Sequence, residues 1–170
     1  MKKVKIIVLG ILIFYVVTVF LGAPFVFTYP VMLARTLIEV GVVDSHSKVT
    51  SGNRVAQIAY ADGKVVCMEF ERSSRFSPIW LESAYQIYTP DDEEIIELRH
   101  SSYENNTILW GYCKDSQIKS VQVELINGEL IETDTNEEGL FAMAFEGSPM
   151  DIQTIFGVDQ EGTTVAQRNR

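Results

Sequence analysis

The chain lacks the short motifs that announce an enzyme. It has no H-E-x-x-H, no G-x-S-x-G, no glycine-rich phosphate loop and no Cys-x-x-Cys pair. Histidine is nearly absent: His46 lies in a polar stretch and His100 follows an apolar run in Arg99-His100-Ser101-Ser102. A Cys–His hydrolase needs a thiol beside an imidazole and a third group to orient it. Neither histidine has such a neighbourhood in the sequence. Positive charge is also scarce from Asp44 onward, where 10 Lys/Arg stand against 22 Asp/Glu, a formal charge of −12. That balance disfavours nucleic acid and anionic headgroups, which attract basic patches. It suits a solvated acidic surface or a cationic partner.

What the chain has in excess is hydrocarbon at its N-terminus. Ile6 to Phe27 reads IIVLGILIFYVVTVFLGAPFVF and holds no charge over 22 residues. As a helix rising about 1.5 Å per residue it reaches roughly 33 Å, against a bilayer core of about 30 Å. One isolated span must satisfy its own backbone hydrogen bonds, which selects a helix. Lys2, Lys3 and Lys5 precede it, so the positive-inside rule keeps residues 1–5 in the cytoplasm and sends everything after Tyr29 outside. Phe25, Phe27 and Tyr29 fall where an aromatic belt meets the outer headgroups. A cleavable signal peptide has a shorter apolar region and small residues at its cleavage site. Bulky aromatics stand there instead, and the first cysteine is Cys67, so there is no lipoprotein motif. The expectation is a retained anchor over residues 6–29. A juxtamembrane helix opened by Pro30, or a continuation of the span, follows it, and then a Ser/Gly/Asn-rich linker ends at Asn53.

From residue 54 the pattern becomes β. Val55–Tyr60 and Val65–Phe70 flank Asp62-Gly63, a strong hairpin signal because such turns need positive φ. Ser73–Ser83, with Pro78 and Trp80, reads as an excursion or a short helix. Tyr85–Tyr88 and Ile95–Leu98 read as strands around an acidic turn. Ile108, Trp110 and Tyr112 alternate onto one face. Val121, Val123 and Leu125 alternate with Gln122 and Glu124 before the Asn127-Gly128 turn, and Leu130–Asp134 returns. Phe141, Met143 and Phe145 alternate with Ala142 and Ala144. Ile152–Val158 closes the series, and 167–170 reads as a frayed tail. Turn signals every 8–12 residues favour an all-β sandwich or barrel. The fold class expected is therefore mainly β: an N-terminal transmembrane helix, then a small antiparallel β-sandwich-like extracytoplasmic domain over 54–166.

Within that domain, Thr135-Asn136-Glu137-Glu138-Gly139-Leu140-Phe141 follows an apolar strand at Ile118, Val121 and Val123 and precedes Gly157-Val158-Asp159. This stretch, about residues 118–165, resembles the T-[DN]-x-x-G-x-F turn-and-strand of Ig-like and carboxypeptidase-regulatory-like (transthyretin-like) modules. The resemblance implies a sandwich used as a spacer or binding module rather than a catalyst.

Three sets of residues are candidates for chemistry. Cys67 and Cys113 each lie out of phase with large apolar neighbours, Met68/Phe70 and Trp110/Tyr112, which puts a common face and a disulfide within reach. Closing about 45 residues, the bridge contributes ~4 kcal/mol in the chain-entropy account. The alternative is two buried free thiols. Asp134, Asn136 and Glu138 open like a calcium loop, but the twelfth position is Phe145 where an EF-hand needs Glu. An acidic turn is the competing reading. Trp80, Trp110 and Tyr112 are candidates for an aromatic binding surface, or else core. Asn105-Asn106-Thr107 fits a glycosylation acceptor, relevant only in a eukaryotic secretory route. No cofactor is expected.

Together these features describe a membrane-tethered interaction or accessory module without catalytic activity. Its partners are the lipid bilayer, through residues 6–29, and a protein at the membrane or envelope. One alternative is a structural or regulatory subunit acting through its helix. Another is a cell-envelope hydrolase, which requires a cleft gathering at least two carboxylates.

Overall fold

Among the described residues, eleven strands form three antiparallel sheets, and two strands of one sheet are buried on both faces. The computed structural model describes residues 47–169 apart from 62, 73–79 and 92, together with Ile13 and Gly41. The anchor and juxtamembrane segment expected over residues 6–43 therefore lie outside the described residues, Ile13 and Gly41 excepted. Among the described residues, no helix is long and apolar enough to cross a membrane.

The strands are β1 (Ser47–Ser51), β2 (Arg54–Ala61), β3 (Lys64–Arg72), β4 (Trp80–Tyr88), β5 (Ile96–Tyr103), β6 (Asn106–Cys113), β7 (Ser120–Leu125), β8 (Leu130–Asp134), β9 (Leu140–Glu146), β10 (Ile152–Val158) and β11 (Thr164–Asn169). The first sheet runs β1-β2-β3-β4, the middle sheet β5-β6-β9, and the third β11-β10-β7-β8. All three are mainly built from hairpins, and two of the turns are the expected ones. Gly63 sits at φ +73° between Ala61 and Lys64, and Gly128 at φ +83° after Leu125, in the left-handed region glycine enters at little cost.

Period two decides which sheet each residue meets. Along β6, Ile108 and Trp110 point toward the first sheet. With Leu140 and Ala142 of β9 they join Ala56, Ile58, Val65 and Cys67 in one core. The alternate residues Leu109 and Cys113, with Phe141, Met143 and Phe145, point the other way and pack on Val121, Val123, Leu125 and Ile155 of the third sheet. This is why β6 and β9 lack a polar face: both sides are core. Each fully buried large side chain contributes about 1.5–3 kcal/mol. The first sheet also buries its far face, with Val55, Ala59, Val66, Met68 and Phe70 inaccessible.

Two segments differ from the expectation. The linker ending at Asn53 contains β1, which pairs with β2 from Ser47↔Ile58 to Ser51↔Arg54. Its polar residues mask the strand, and only Val49 reaches the core. The frayed tail begins inside β11, which pairs with β10 up to Thr154↔Asn169. Arg168 ties that strand down: its Nη1 donates to Glu94 at 2.6 Å and to the Ile96 carbonyl at 2.9 Å.

Candidate functional site

The three aromatics expected to form a surface are dispersed. Trp110 is wholly buried between the first and middle sheets, 5.8 Å from the Tyr88 ring. Its Nε1 and the Tyr88 hydroxyl are buried without a protein acceptor or donor. Burial pushes the Tyr88 hydroxyl up, and the Glu97 carboxylate adds to the shift. Tyr112 is half-buried and stacks on Tyr60, with centroids 5.4 Å apart and 11° between the planes. Trp80, at the start of β4, lies under the Arg72 guanidinium at 5.1 Å. The alternation that marked Ile108, Trp110 and Tyr112 is real, and the face it marks is interior.

Cys67 and Cys113 are both buried and free. The sequence logic had them out of phase with their large neighbours, which holds for each strand by itself. Their faces nevertheless differ. Cys67 lies in the core between the first and middle sheets, whereas Cys113 lies in the core between the middle and third sheets. A common face assumed one buried side per sheet, and the middle sheet has two. Burial pushes the Cys113 thiol up to about 12, and Asp115 adds to it. Burial likewise raises Cys67 well above its ordinary value, with Glu69 contributing. Thiols held protonated in this way are poor nucleophiles. His100 lines a cavity of about 240 Å³ with Leu98, Ile152 and Ile155, and neither cysteine lines it. His46 lies outside the described residues.

The calcium candidates fall at the end of β8 and in the turn that follows it. The Asn136 side-chain oxygen accepts from the Glu138 N–H at 3.1 Å and the Leu140 N–H at 2.8 Å, so it caps its own loop. Asp134 is at the end of β8, paired with Ser120. Among the described residues, no three His, Cys, Asp or Glu side chains gather as a metal group. Carboxylates gather in two clefts: Glu93 and Glu94 line a cavity of about 460 Å³ with Ile95 and Arg168, and Glu137 and Glu138 line one of about 200 Å³ with Asn136 and Lys119. In the first, Glu94 is held by Arg168. Two further carboxylates are interior and engaged: Glu69 faces Arg54, and Glu97 accepts the Asp91 N–H.

The most distinctive surface is β4. It is the terminal strand of the first sheet among the described residues, and it runs nine residues. Leu81 is 50% exposed, Tyr85 56% and Ile87 46%. Natural sheets blunt such edges with charge, proline or short length. Here Glu82 is the single charged residue, and the one irregularity is a bulge opposite the Glu69/Phe70 step of β3. The other free edges differ: β5 carries Glu97, Arg99 and His100, β11 carries Arg168, and β9 is flanked by β1 and β8. The sequence pattern predicts a strand at Tyr85–Tyr88 and an excursion or short helix over Ser73–Ser83, whereas β4 already begins at Trp80. The missed signal was the run from Trp80 to Tyr88, which contains no Gly, Pro, Asn or Asp. A comparison with protein-family profiles, curated proteins and solved structures returned no match.

Proposed function

We propose that this chain is a membrane-tethered extracytoplasmic interaction or accessory module without catalytic activity. Residues 6–29 anchor it, and β4 is its docking edge. The observation that carries the reading is the exposed, nearly uncharged edge at Leu81, Tyr85 and Ile87. An open strand edge offers main-chain hydrogen bonds for affinity and alternate side chains for selectivity, the mode known as β-augmentation. The charge pattern at Lys2, Lys3 and Lys5 supports a cytoplasmic N-terminus. The resemblance of Thr135–Phe141 to binding-module turns agrees in kind.

The test is crosslinking of full-length protein in its native membranes. Three forms are compared: wild type, Tyr85→Lys/Ile87→Lys, and a chain with residues 6–27 replaced by an unrelated span. Loss of the crosslinked partner in the β4 variant alone supports the reading. A partner kept by the β4 variant and lost with the replaced span moves the function into the membrane helix and overturns it.

A further inference from the structure

We infer that residues 31–40, the apolar run between Pro30 and Gly41, dock as one helix on the outer face of the first sheet, across β2 and β3. The inference goes beyond the docking edge and stands whether or not β4 has a partner.

The outer face is covered, and no described sheet covers it. Val55, Ala59, Val66, Met68 and Phe70 alternate with the residues that meet the middle sheet, and none of them is more than 3% exposed. None belongs to either inter-sheet core, and the first sheet packs on β6 and β9 through its opposite side. The cover is therefore a part of this chain outside the described residues. The pattern of exposure gives its width. On the flanking strands the same face opens: Lys48 and Thr50 of β1 are exposed, and so are Tyr85 and Ile87 of β4. Two strands about 4.8 Å apart are shielded, a band of roughly 10 Å, which is the width of one α-helix. Along the strands the band runs from Val55 to Ala59 and from Val66 to Phe70, roughly 14–17 Å.

Residues 31–40, VMLARTLIEV, match that band in length and in pattern. Ten helical residues span about 15 Å. Leu33, Leu37 and Val40 fall on one stripe, while Arg35 and Glu39 lie together on the opposite side. Pro30 precedes the run, and Gly41 follows it, exposed and at φ +77°. Proline at the start and a left-handed glycine just past the end are the signals of a short helix. The six steps from Gly41 to Ser47 reach about 20 Å, enough to cross a layer spacing of about 10 Å and enter β1. Residues 73–79 cannot serve instead. They join Arg72 to Trp80, which stand directly opposite each other, so that loop must return to its start and extends about 12 Å at most. Val66 lies six residues along β3 from Arg72, roughly 20 Å away.

A docked helix directly after residue 29 replaces a loose tether with a fixed mount. With residues 6–29 in the bilayer, the reading proposed above, the first sheet sits within about one helix length, ~15 Å, of the end of the span. A strand offered to β4 then comes from a partner at the membrane. This consequence rests on the anchor; the packing of residues 31–40 does not.

The experiment uses full-length protein in mild detergent, which removes lipid as a shield, and reads maleimide labelling at single positions. Val55→Cys should resist the reagent, while Ile87→Cys, on the same face of β4, should react at once. With residues 31–40 replaced by a Gly/Ser run of equal length, Val55→Cys should lose its protection. Cys113, buried in the other core, should stay unlabelled, which shows that the rest of the domain is folded. Where Cys113 labels as well, the decision passes to photo-crosslinking of the otherwise unchanged chain. Trypsin cuts after Arg54, Lys64 and Arg72 and so releases β2 and β3 as peptides 55–64 and 65–72. Benzoylphenylalanine in place of Leu37 should form an adduct with one of these two peptides, and in place of Arg35 with neither. Absence of both adducts from position 37 overturns the inference. So does protection of Val55→Cys that survives the replacement while Cys113 stays buried. Protection lost only when residues 6–27 are replaced would hand the cover to that run and remove it from the bilayer, overturning the anchor as well.

Discussion

Arg54 and Glu69 face each other 3.7 Å apart on the side of the first sheet that meets the middle sheet, and the carboxylate is buried. The guanidinium also holds Glu71 at 2.9 Å and covers the Tyr103 ring at 4.0 Å. The cavity beside them, about 50 Å³, is too small for a substrate of any size. This is architecture. It fastens β2 to β3 and to the end of β5.

Removing one partner of such a pair leaves an uncompensated buried charge, which typically costs about 3–5 kcal/mol. Arg54→Met should therefore lower the unfolding free energy by about 3 kcal/mol or more in urea titrations. Arg54→Met combined with Glu69→Leu should recover much of that loss, because the fully buried charge is gone and Glu71, the other carboxylate Arg54 holds, is 27% exposed and reaches solvent. Equal destabilisation by the single and double variants would show that the pair, and not the stranded carboxylate, carries the energy.

Gly111 marks the closest approach inside the middle sheet. A Cβ there would come within 2.7 Å of the Phe141 ring and would overlap the Glu97 backbone carbonyl. The carbonyl belongs to the β5–β6 ladder, where Leu98 pairs with Gly111, so it has no room to withdraw. Gly111→Ala should cost about 2–3 kcal/mol by overpacking. Adding Phe141→Leu should restore only part of it, since the backbone contact stays. Thermal unfolding of the two variants checks this; full rescue would place the whole clash on the ring.

The buried thiols give the domain an alkaline limit. Cys113 is raised from 9.0 to about 12, and Cys67 is raised as well, both mainly by burial. Above pH 9 the unfolded chain releases these protons while the folded chain keeps them, so the unfolded state gains. Their contribution is thus fully present below about pH 9 and is lost as pH rises toward about 12. The urea midpoint should fall from pH 8 to pH 10.5, and Cys67→Ala/Cys113→Ala should flatten that slope. A thiol reagent at pH 8 should label wild type only as fast as it unfolds. Immediate labelling would contradict the burial of both groups.

Legibility in the sequence tracked one-sided burial. β7 was readable because Val121, Val123 and Leu125 face a core while Gln122 and Glu124 face water. β6 and β9 were readable as strands, yet their pairing of faces was not. Trp110 and Cys113 both point into cores, on opposite sides of one sheet, and periodicity cannot say that two cores exist. β1 and β11 were missed for the reverse reason. They are polar edge strands, each paired with the adjacent strand of a hairpin, so neither shows the apolar alternation of a strand with a buried face. The exposed side chains of β4 were invisible for lack of knowledge of sheet order. Tyr85 and Ile87 look like core residues until β4 proves to be an edge.

Asn136 supplies the last test, because it separates a metal loop from a self-capped turn. Its oxygen accepts two backbone N–H groups, one from Glu138 and one from Leu140, while Gly139 takes φ +84° behind it. A calcium ion would need that oxygen, and the backbone already has it. Asn136→Ala removes both bonds and should cost about 1–2 kcal/mol, the usual net loss for hydrogen bonds left unmade. Asn136→Asp keeps an acceptor in place and should cost less. Melting curves of wild type and both variants, in millimolar calcium and in chelator, should superimpose pair by pair. A calcium-dependent rise in the melting temperature of wild type that vanishes in Asn136→Ala would mean the loop opens to bind the ion, and the cap would then be a latch over a metal site.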